Sequence, residues 1–224
     1  MSSVPAAERS PSARPALSRD RILRAAVALA DREGLDALSM RRLGAELGVE
    51  AMSLYHHVAN KQALLDGIVE WVVDSMDTSG MLEPGPWQER LKDGFRAYRR
   101  LAHAHPAVFP LVGRRPVRTL AALRPVELAL GLLHDAGCPP GAALRAFRTL
   151  SHFAYGHALS EIRGMAMDSA SQATEPEVLE AQAKQFPNLT RVMLEAASSD
   201  HNAEFEESLD VIIAGLVTTY RLKT

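Results

Sequence analysis

The segment from Ser39 to Val58, SMRRLGAELGVEAMSLYHHV, carries polar and aromatic side chains suited to binding duplex DNA. Hydroxyl and imidazole groups can hydrogen bond to phosphates, and apolar groups can contact thymine methyls in a major groove. Flanking cations can neutralise backbone phosphates. The residues predicted to face outward are Ala51, Met52, Ser53, Tyr55, His56 and His57, flanked by Arg41, Arg42 and Lys61. A solvated pair of helices without a ligand is the alternative interpretation of the same pattern.

Two short helices with a tight turn between them are predicted to present this surface. Ser39 can cap the first helix, and Leu43 and Leu47 share its buried face. Gly48 suits the corner between the helices. A second helix is expected from about residue 50 to 57, seated by the apolar residues at 49, 54 and 58. This arrangement is a helix-turn-helix.

Helices before and after the motif complete a compact unit. Ser18 and Gly34 delimit a first helix with one apolar face, and Asn60 can cap a long fourth helix. Residues 1–16 are rich in Ser, Pro, Ala and Arg and are predicted to form a flexible tail. We therefore predict a DNA-binding domain over 17–64 and a second helical domain over 65–224.

The rest of the chain is also predicted to be helical. Beyond a break rich in Gly and Pro at 77–86, the apolar spacing indicates helices at about 117–136, 140–163 and 202–222. A loop is expected at 164–176, with shorter pieces at 175–186 and 187–198. Because the alternation typical of strands is nowhere sustained, the predicted fold class is all-α. A long helix would join the N-terminal three-helix domain to the C-terminal domain.

Composition excludes several classes of protein. The 224 residues are 47% hydrophobic and 23% charged, which is ordinary for a globular chain and excludes wholesale disorder. No apolar run approaches the roughly 18 residues of a membrane span, and no leader peptide is recognisable. A net charge of -2 excludes a strongly basic coat. The single cysteine, Cys138, fits a reducing compartment, so we expect a cytoplasmic protein.

Residues 17–66 resemble the DNA-binding domain of the tetracycline-repressor (TetR) family, most clearly in LGVEAMSLYHHVANKQALLD. Weaker resemblance lies in the second domain at GRRP, SHFAYGHAL and FEESLDVIIAGL. The resemblance implies a homodimer in which each protomer presents one recognition helix to half of a palindromic operator. It gives DNA-contact roles to Arg41, Ser53, Tyr55, His57 and Lys61, and base-reading positions to Ala51, Met52 and His56. These three differ from the residues of the repressor that names the family, so a different operator is expected.

The resemblance also implies that the second domain encloses an effector cavity, and that filling it spreads the two DNA-binding domains. Leu111 and Arg114 stand where the magnesium-tetracycline site has a histidine and a threonine, and Ser160 stands where it has an acidic residue, with Glu161 next to it. An effector other than magnesium-tetracycline is therefore expected, without a cofactor or metal site. The candidate effector residues are Phe109, Leu111, Arg114, Phe147, Phe153, His157 and Glu161. The aromatic residues among them fit an ordinary core equally well.

The two last long helices are expected to pair with their twofold mates as a four-helix dimer interface. Each of them carries an apolar stripe at helical spacing. The residues assigned to the interface are Leu150, His157, Leu209, Ile212, Ile213 and Leu216.

The hypothesis that follows is a ligand-responsive DNA-binding regulator, in the form of a repressor released by a small-molecule effector. The alternative is a helical small-molecule-binding or metal-dependent enzyme with an incidental helix-turn-helix. His157 and Glu161, four residues apart on one helix, have a spacing that can hold a metal. His152 lies about 140° round the helix from His157, so a packed or interfacial histidine is favoured over a metal ligand. No phosphate-binding loop or nucleophile motif is present, which disfavours an enzyme.

Overall fold

The computed structural model of the protein describes residues 16–164, 183–196 and 200–223, and within these ranges no residue forms a strand. The all-α prediction is therefore confirmed. The helices are α1 (Arg19–Glu33), α2 (Met40–Leu47), α3 (Ala51–Leu54), α4 (Lys61–Asp74), α5 (Trp87–Ala104), α6 (Phe109–Val112), α7 (Leu120–Asp135), α8 (Pro140–Arg163), α9 (Pro187–Ala196) and α10 (His201–Tyr220). The predicted tail at 1–16 and the loop at 164–176 lie almost wholly outside the described residues. Among the helices described, none combines the length and apolar character that a membrane span requires.

The N-terminal domain is assembled from short capped helices. The Ser18 side chain accepts a hydrogen bond from the backbone N–H of Arg21, and the Ser39 side chain accepts one from that of Arg42, both over 3.2 Å. Each bond satisfies a free N–H group at the start of a helix. The capped helices bury a common apolar core, whose fully buried members include Ile22, Leu29, Leu38, Leu43, Leu54, Leu64 and Ile68.

Helix α4 belongs to both domains. It packs on α1 in the N-terminal domain and also contacts α6 and α7. Val69 and Val72 continue the same core, which also includes Leu101 and Val108 of the second domain. The division predicted between residues 64 and 65 therefore falls inside one continuous helix.

A second core holds α5, α7, α8 and α10 together. Its buried residues include Leu91, Phe95, Leu133, Leu150, Phe205 and Leu209. Ion pairs reinforce the packing of α5 on α10: Lys92 lies 2.7 Å from Asp210, and Arg96 lies 2.6 Å from Glu206. The C-terminus is held as well, because the indole N–H of Trp87 donates to the backbone carbonyl of Lys223 over 2.7 Å.

Two helices are shorter than the sequence predicts. Helix α3 ends at Leu54, and residues 55–57 continue as a tighter turn in which the N–H of His57 donates to the carbonyl of Leu54 over 3.0 Å. Helix α7 begins at Leu120 rather than near residue 117. The carboxylate of Glu70, on α4, binds the N–H groups of Arg118 and Thr119, which places these residues outside the helix. This contact between distant parts of the chain is not visible in a local pattern.

Candidate nucleic-acid interface and ligand cavity

The turn between α2 and α3 depends on two glycines. Gly48 adopts the left-handed conformation, with φ of 69°, that closes α2. Gly44 lies at the crossing of the two helices, where a β-carbon would stand 2.9 Å from the carbonyl oxygen of Val49 and 3.1 Å from the nitrogen of Ala51. Only glycine permits this approach without a shift of the backbone. The sequence pattern predicts the turn at Gly48 but does not predict the close approach at Gly44. The one indication in the sequence is that Gly44, a small residue, follows the buried Leu43.

The recognition segment, residues 51–57, presents most of its side chains to solvent. Met52 is 69% exposed and Tyr55 is 42% exposed, and both histidines at 56 and 57 are exposed. Ala51 and Ser53 are half-buried. Leu54 is fully buried and anchors the segment to the core, so an aromatic and polar face is held rigidly outward.

The start of α4 follows the recognition segment in the chain and is exposed. The Asn60 side chain caps the helix by accepting a hydrogen bond from the N–H of Ala63 over 2.9 Å. Lys61 is the first helical residue and is exposed. The N-terminus of a helix attracts phosphate, and the lysine adds a full positive charge.

The two arginines of α2 differ in their surroundings. Arg42 pairs with Glu33 over 2.7 Å and with Glu46 over 3.2 Å, and its hydrogen bond lowers the pKa of Glu33. It therefore joins α2 to α1, and its place among the cations flanking the DNA surface stays a prediction. Arg41 is exposed, and no carboxylate in the described parts of the chain pairs with it.

A cavity of about 410 Å³, called here the central cavity, lies between α4, α5, α7 and α8. Its volume suits a small organic ligand. Aliphatic and methionine side chains line much of it, and the aromatic walls are Phe95, Tyr98, Phe147 and Tyr155. Ser151 and His152 add polar atoms.

Tyr155 forms a fixed wall of the central cavity. Its hydroxyl donates to the backbone carbonyl of Pro110 over 3.0 Å. Its ring lies against Gly113, where a β-carbon would stand 2.6 Å from a ring atom. Phe109 packs behind, with ring centroids 5.5 Å from Tyr155 and 5.2 Å from Tyr98.

Of the seven predicted effector residues, Phe147 lines the central cavity, and the other six lie outside its lining. Phe109 is buried behind the cavity wall, and Leu111 packs against the core of the N-terminal domain. Arg114 is exposed. The other three, Phe153, His157 and Glu161, lie on the side of α8 that faces α5 and α10. Helical spacing identified an aromatic face without indicating which neighbour it meets.

Glu161 takes part in an ion-pair network rather than a metal site. Its carboxylate accepts both guanidinium N–H groups of Arg99 and lies 3.1 Å from Nε2 of His103. Burial alone would raise the pKa of Glu161, but these hydrogen bonds outweigh it and lower the pKa. Burial lowers the pKa of His157, whose Nε2 has no hydrogen-bond partner. No group of three potential ligands that could hold a metal occurs in the described ranges.

Most of the residues predicted for the dimer interface pack within the single chain. Leu150, Leu209, Ile213 and Leu216 are buried inside the single chain, between α8, α10 and the rest of the second core. His157 packs on Phe205, with ring centroids 5.1 Å apart, and Ile212 is half-buried. The apolar stripes therefore pack mostly inside the protomer, while Ile212 and His157 stay partly exposed. The outer face of α10 instead exposes Val211, by 66%, together with Ala214, Gly215 and Thr218.

One segment, residues 113–119, links the central cavity to α4. Gly113 and Val117 line the cavity. Between them, Arg115 pairs with Asp66 and donates to the side chain of Gln62 over 2.8 Å. The segment therefore contacts both the space for a ligand and the helix that enters the DNA-binding domain.

Comparisons with known proteins match both the N-terminal and the C-terminal part of the chain to one family. Residues 22–68 match the family described as bacterial regulatory proteins, tetR family, and residues 80–220 match the tetracyclin repressor-like C-terminal domain. The chain is 32% identical over 180 residues to the HTH-type transcriptional repressor DrrR1 of Streptomyces coeruleorubidus, across 80% of this chain and 66% of that one. It is 30% identical to the class C tetracycline repressor of Escherichia coli, across 89% and 90% of the two chains.

Solved structures extend the similarity to the whole fold. The TetR family protein ActR of Streptomyces coelicolor, in complex with (S)-DNPA, superimposes with a TM-score of 0.77 at 33% identity, covering 91% of this chain and 98% of ActR. ActR in complex with actinorhodin also gives a TM-score of 0.77, at 31% identity, covering 92% and 98%. The family resemblance in the sequence is confirmed, and the family is made up of regulators rather than enzymes. The chain belongs to the tetracycline-repressor (TetR) family of ligand-responsive, DNA-binding transcriptional regulators.

Proposed function

We propose that this protein is a cytoplasmic homodimeric repressor that leaves its operator when an effector fills the central cavity. The observation that carries the proposal is the recognition segment, which exposes Met52, Tyr55 and His57 and is followed in the chain by the exposed Lys61 at the start of α4. A rigid face of this kind fits a major groove, with the helix start and the lysine meeting the phosphate backbone.

The contacts divide between backbone and bases. Arg41, Ser53, Tyr55, His57 and Lys61 would bind phosphates and fix the position of the recognition segment. Ala51, Met52 and His56 would face base edges. The first two can only make apolar contacts, so thymine methyl groups are their natural partners.

The proposed dimer uses the outer faces of α8 and α10. Val211, Ala214 and Thr218 recur at the spacing of one helical face, and small residues there let helices approach closely. Leu144 is an exposed apolar residue of α8. A twofold pair would place two recognition segments about 34–36 Å apart, one turn of DNA.

Release follows from the two sets of contacts made by residues 113–119. An effector that displaces Gly113 or Val117 would move Arg115 and the partners of Glu70, and with them α4 and the DNA-binding domain. A preference of about 1–3 kcal/mol for the displaced arrangement would weaken operator binding by roughly 5- to 150-fold. The complexes of ActR with (S)-DNPA and with actinorhodin support a small-molecule effector for this chain.

The test is a gel-shift titration with the DNA that flanks the protein's own gene. We expect saturable binding of two chains per site, much tighter than binding to an unrelated duplex and steeply weakened by salt. Equal affinity for both duplexes would contradict the proposal.

A further inference from the structure

We propose that the effector is an uncharged aromatic compound with a carbonyl oxygen, held without a metal ion, and that the Tyr98 hydroxyl donates the hydrogen bond that selects this oxygen. The inference rests on the proposed role of the central cavity. It names the chemical class of ligand and the residue that recognises it.

The lining of the central cavity excludes a charged ligand. None of its described residues is Asp, Glu, Lys or Arg. The one titratable nitrogen belongs to His152, an exposed residue. A carboxylate or ammonium group inside would lose its hydration without gaining a partner, which is costly in an apolar cavity.

Tyr98 is a half-buried polar residue in the cavity wall that can recognise a ligand. Its ring contacts Phe109, and its hydroxyl has no hydrogen-bond partner among the described residues. Tyr155 differs, because its hydroxyl already donates to Pro110. Burial, with a smaller effect of Tyr155, raises the pKa of Tyr98, so its hydroxyl stays protonated and acts as a donor. A tyrosine hydroxyl in the wall of an apolar cavity favours an acceptor, and a ligand carbonyl oxygen supplies one.

The remaining walls suit a flat ring system. Phe95 and Phe147 lie with ring centroids 6.5 Å apart at an interplanar angle of 36°. Met81 reaches across Gly94, where a β-carbon would stand 2.7 Å from its sulfur. Aromatic faces and methionine sulfur both favour aromatic ligands.

Magnesium chelation does not fit the residues present. Magnesium prefers carboxylate and other oxygen ligands. Leu111 packs against the N-terminal core, Arg114 is exposed, and the carboxylate of Glu161 is held by Arg99 on the far side of α8. The central cavity thus offers a magnesium ion no carboxylate.

The experiment compares three probes of one shape by isothermal titration with the full chain. Fluorenone has a carbonyl oxygen, fluorene has a methylene group in its place, and a fluorenone carboxylate adds a negative charge. We expect fluorenone to bind about tenfold more tightly than fluorene, because only fluorenone pairs with the Tyr98 hydroxyl. The carboxylate should bind at least about tenfold more weakly than fluorenone. Adding EDTA should leave fluorenone binding unchanged.

Tyr98→Phe should abolish the preference for fluorenone while leaving fluorene binding unchanged, and Tyr220→Phe, a tyrosine outside the central cavity, should preserve the preference. Equal binding of fluorenone and fluorene to the wild type would overturn the inference. So would tighter binding of the carboxylate, a requirement for metal, or no binding of any probe. Operator binding without probe is measured on the same samples. If the wild-type chain does not bind the operator, the proposed function is refuted. If it binds the operator but does not prefer fluorenone, only the proposed class of ligand is refuted.

Discussion

The carboxylate of Glu70 accepts a hydrogen bond from the backbone N–H of Arg118 over 3.0 Å, and this bond ties α4 to the segment that lines the central cavity. The same oxygen accepts the N–H of Thr119 over 3.2 Å. A single carboxylate thus holds the start of α7 against the helix that enters the DNA-binding domain. In the proposed mechanism, these few groups would connect ligand binding with operator binding.

Replacing Glu70 should weaken this connection. Glu70→Ala leaves two backbone N–H groups without their acceptor, so we expect unfolding to become easier by about 1–3 kcal/mol. Glu70→Gln retains an acceptor oxygen, so its free energy of unfolding should fall less than that of Glu70→Ala. Urea denaturation followed by circular dichroism measures both. Equal stability of wild type and Glu70→Ala would show that the contact has no energetic role.

Gly44→Ala should damage the helix-turn-helix itself. The added methyl would meet the backbone of Val49 and Ala51, so we expect a loss of about 1–3 kcal/mol in stability together with weaker operator binding. The matched control is Gly131→Ala on α7, where nothing lies within 4 Å of the added methyl. That variant should be more stable by about 0.5–1 kcal/mol, because alanine favours a helix over glycine. Similar stability changes in both variants would contradict the close approach at Gly44.

Val211→Asp should yield monomers in light scattering. Val211 is exposed on the outer face of α10, where a buried charge would oppose association of two chains. Leu120→Asp, on an exposed residue of α7, is the control and should leave the mass unchanged. Leu209→Asp should unfold the chain instead, because Leu209 is fully buried. A dimer that survives Val211→Asp would place the interface elsewhere.

Glu161 should contribute to stability in a pH-dependent way. Its pKa is lower in the folded chain than in the unfolded chain, so its contribution is present above the unfolded value of about 4.3 and is lost as the pH falls through the folded value. Glu161→Gln should be less stable at pH 7 by about 1.5–3 kcal/mol, with a flatter fall on acidification. The exposed Glu127→Gln is the control. Parallel pH curves for wild type and Glu161→Gln would refute the assignment.

Local features of the fold could be predicted from the sequence because neighbouring residues determine them. The caps at Ser18, Ser39 and Asn60 and the turn at Gly48 depend on contacts within a few residues. The outward face of the recognition segment followed from the spacing of Leu54 and its apolar neighbours.

Features set by distant contacts could not be predicted in this way. The start of α7 depends on Glu70, some fifty positions earlier. The apolar stripe through Leu209 was assigned to a dimer interface, and Leu209 is fully buried within the single chain; spacing alone does not distinguish a core within one chain from an interface between two. For the same reason Phe153 was assigned to the ligand, although it stacks on Phe205 at a centroid distance of 5.6 Å.

The most direct test of the account is fluorescence anisotropy of the labelled operator duplex with Tyr55→Ala and Lys61→Ala. We expect both variants to fold normally, since both side chains are exposed, and to bind the operator at least about tenfold more weakly. For Lys61→Ala the slope of log affinity against log salt concentration should become shallower by about one, because one fewer counterion is released from the DNA. The exposed Arg124→Ala on α7 should bind as the wild type does. Unchanged operator affinity in Tyr55→Ala and Lys61→Ala would contradict the claim that residues 51–61 form the DNA-binding surface.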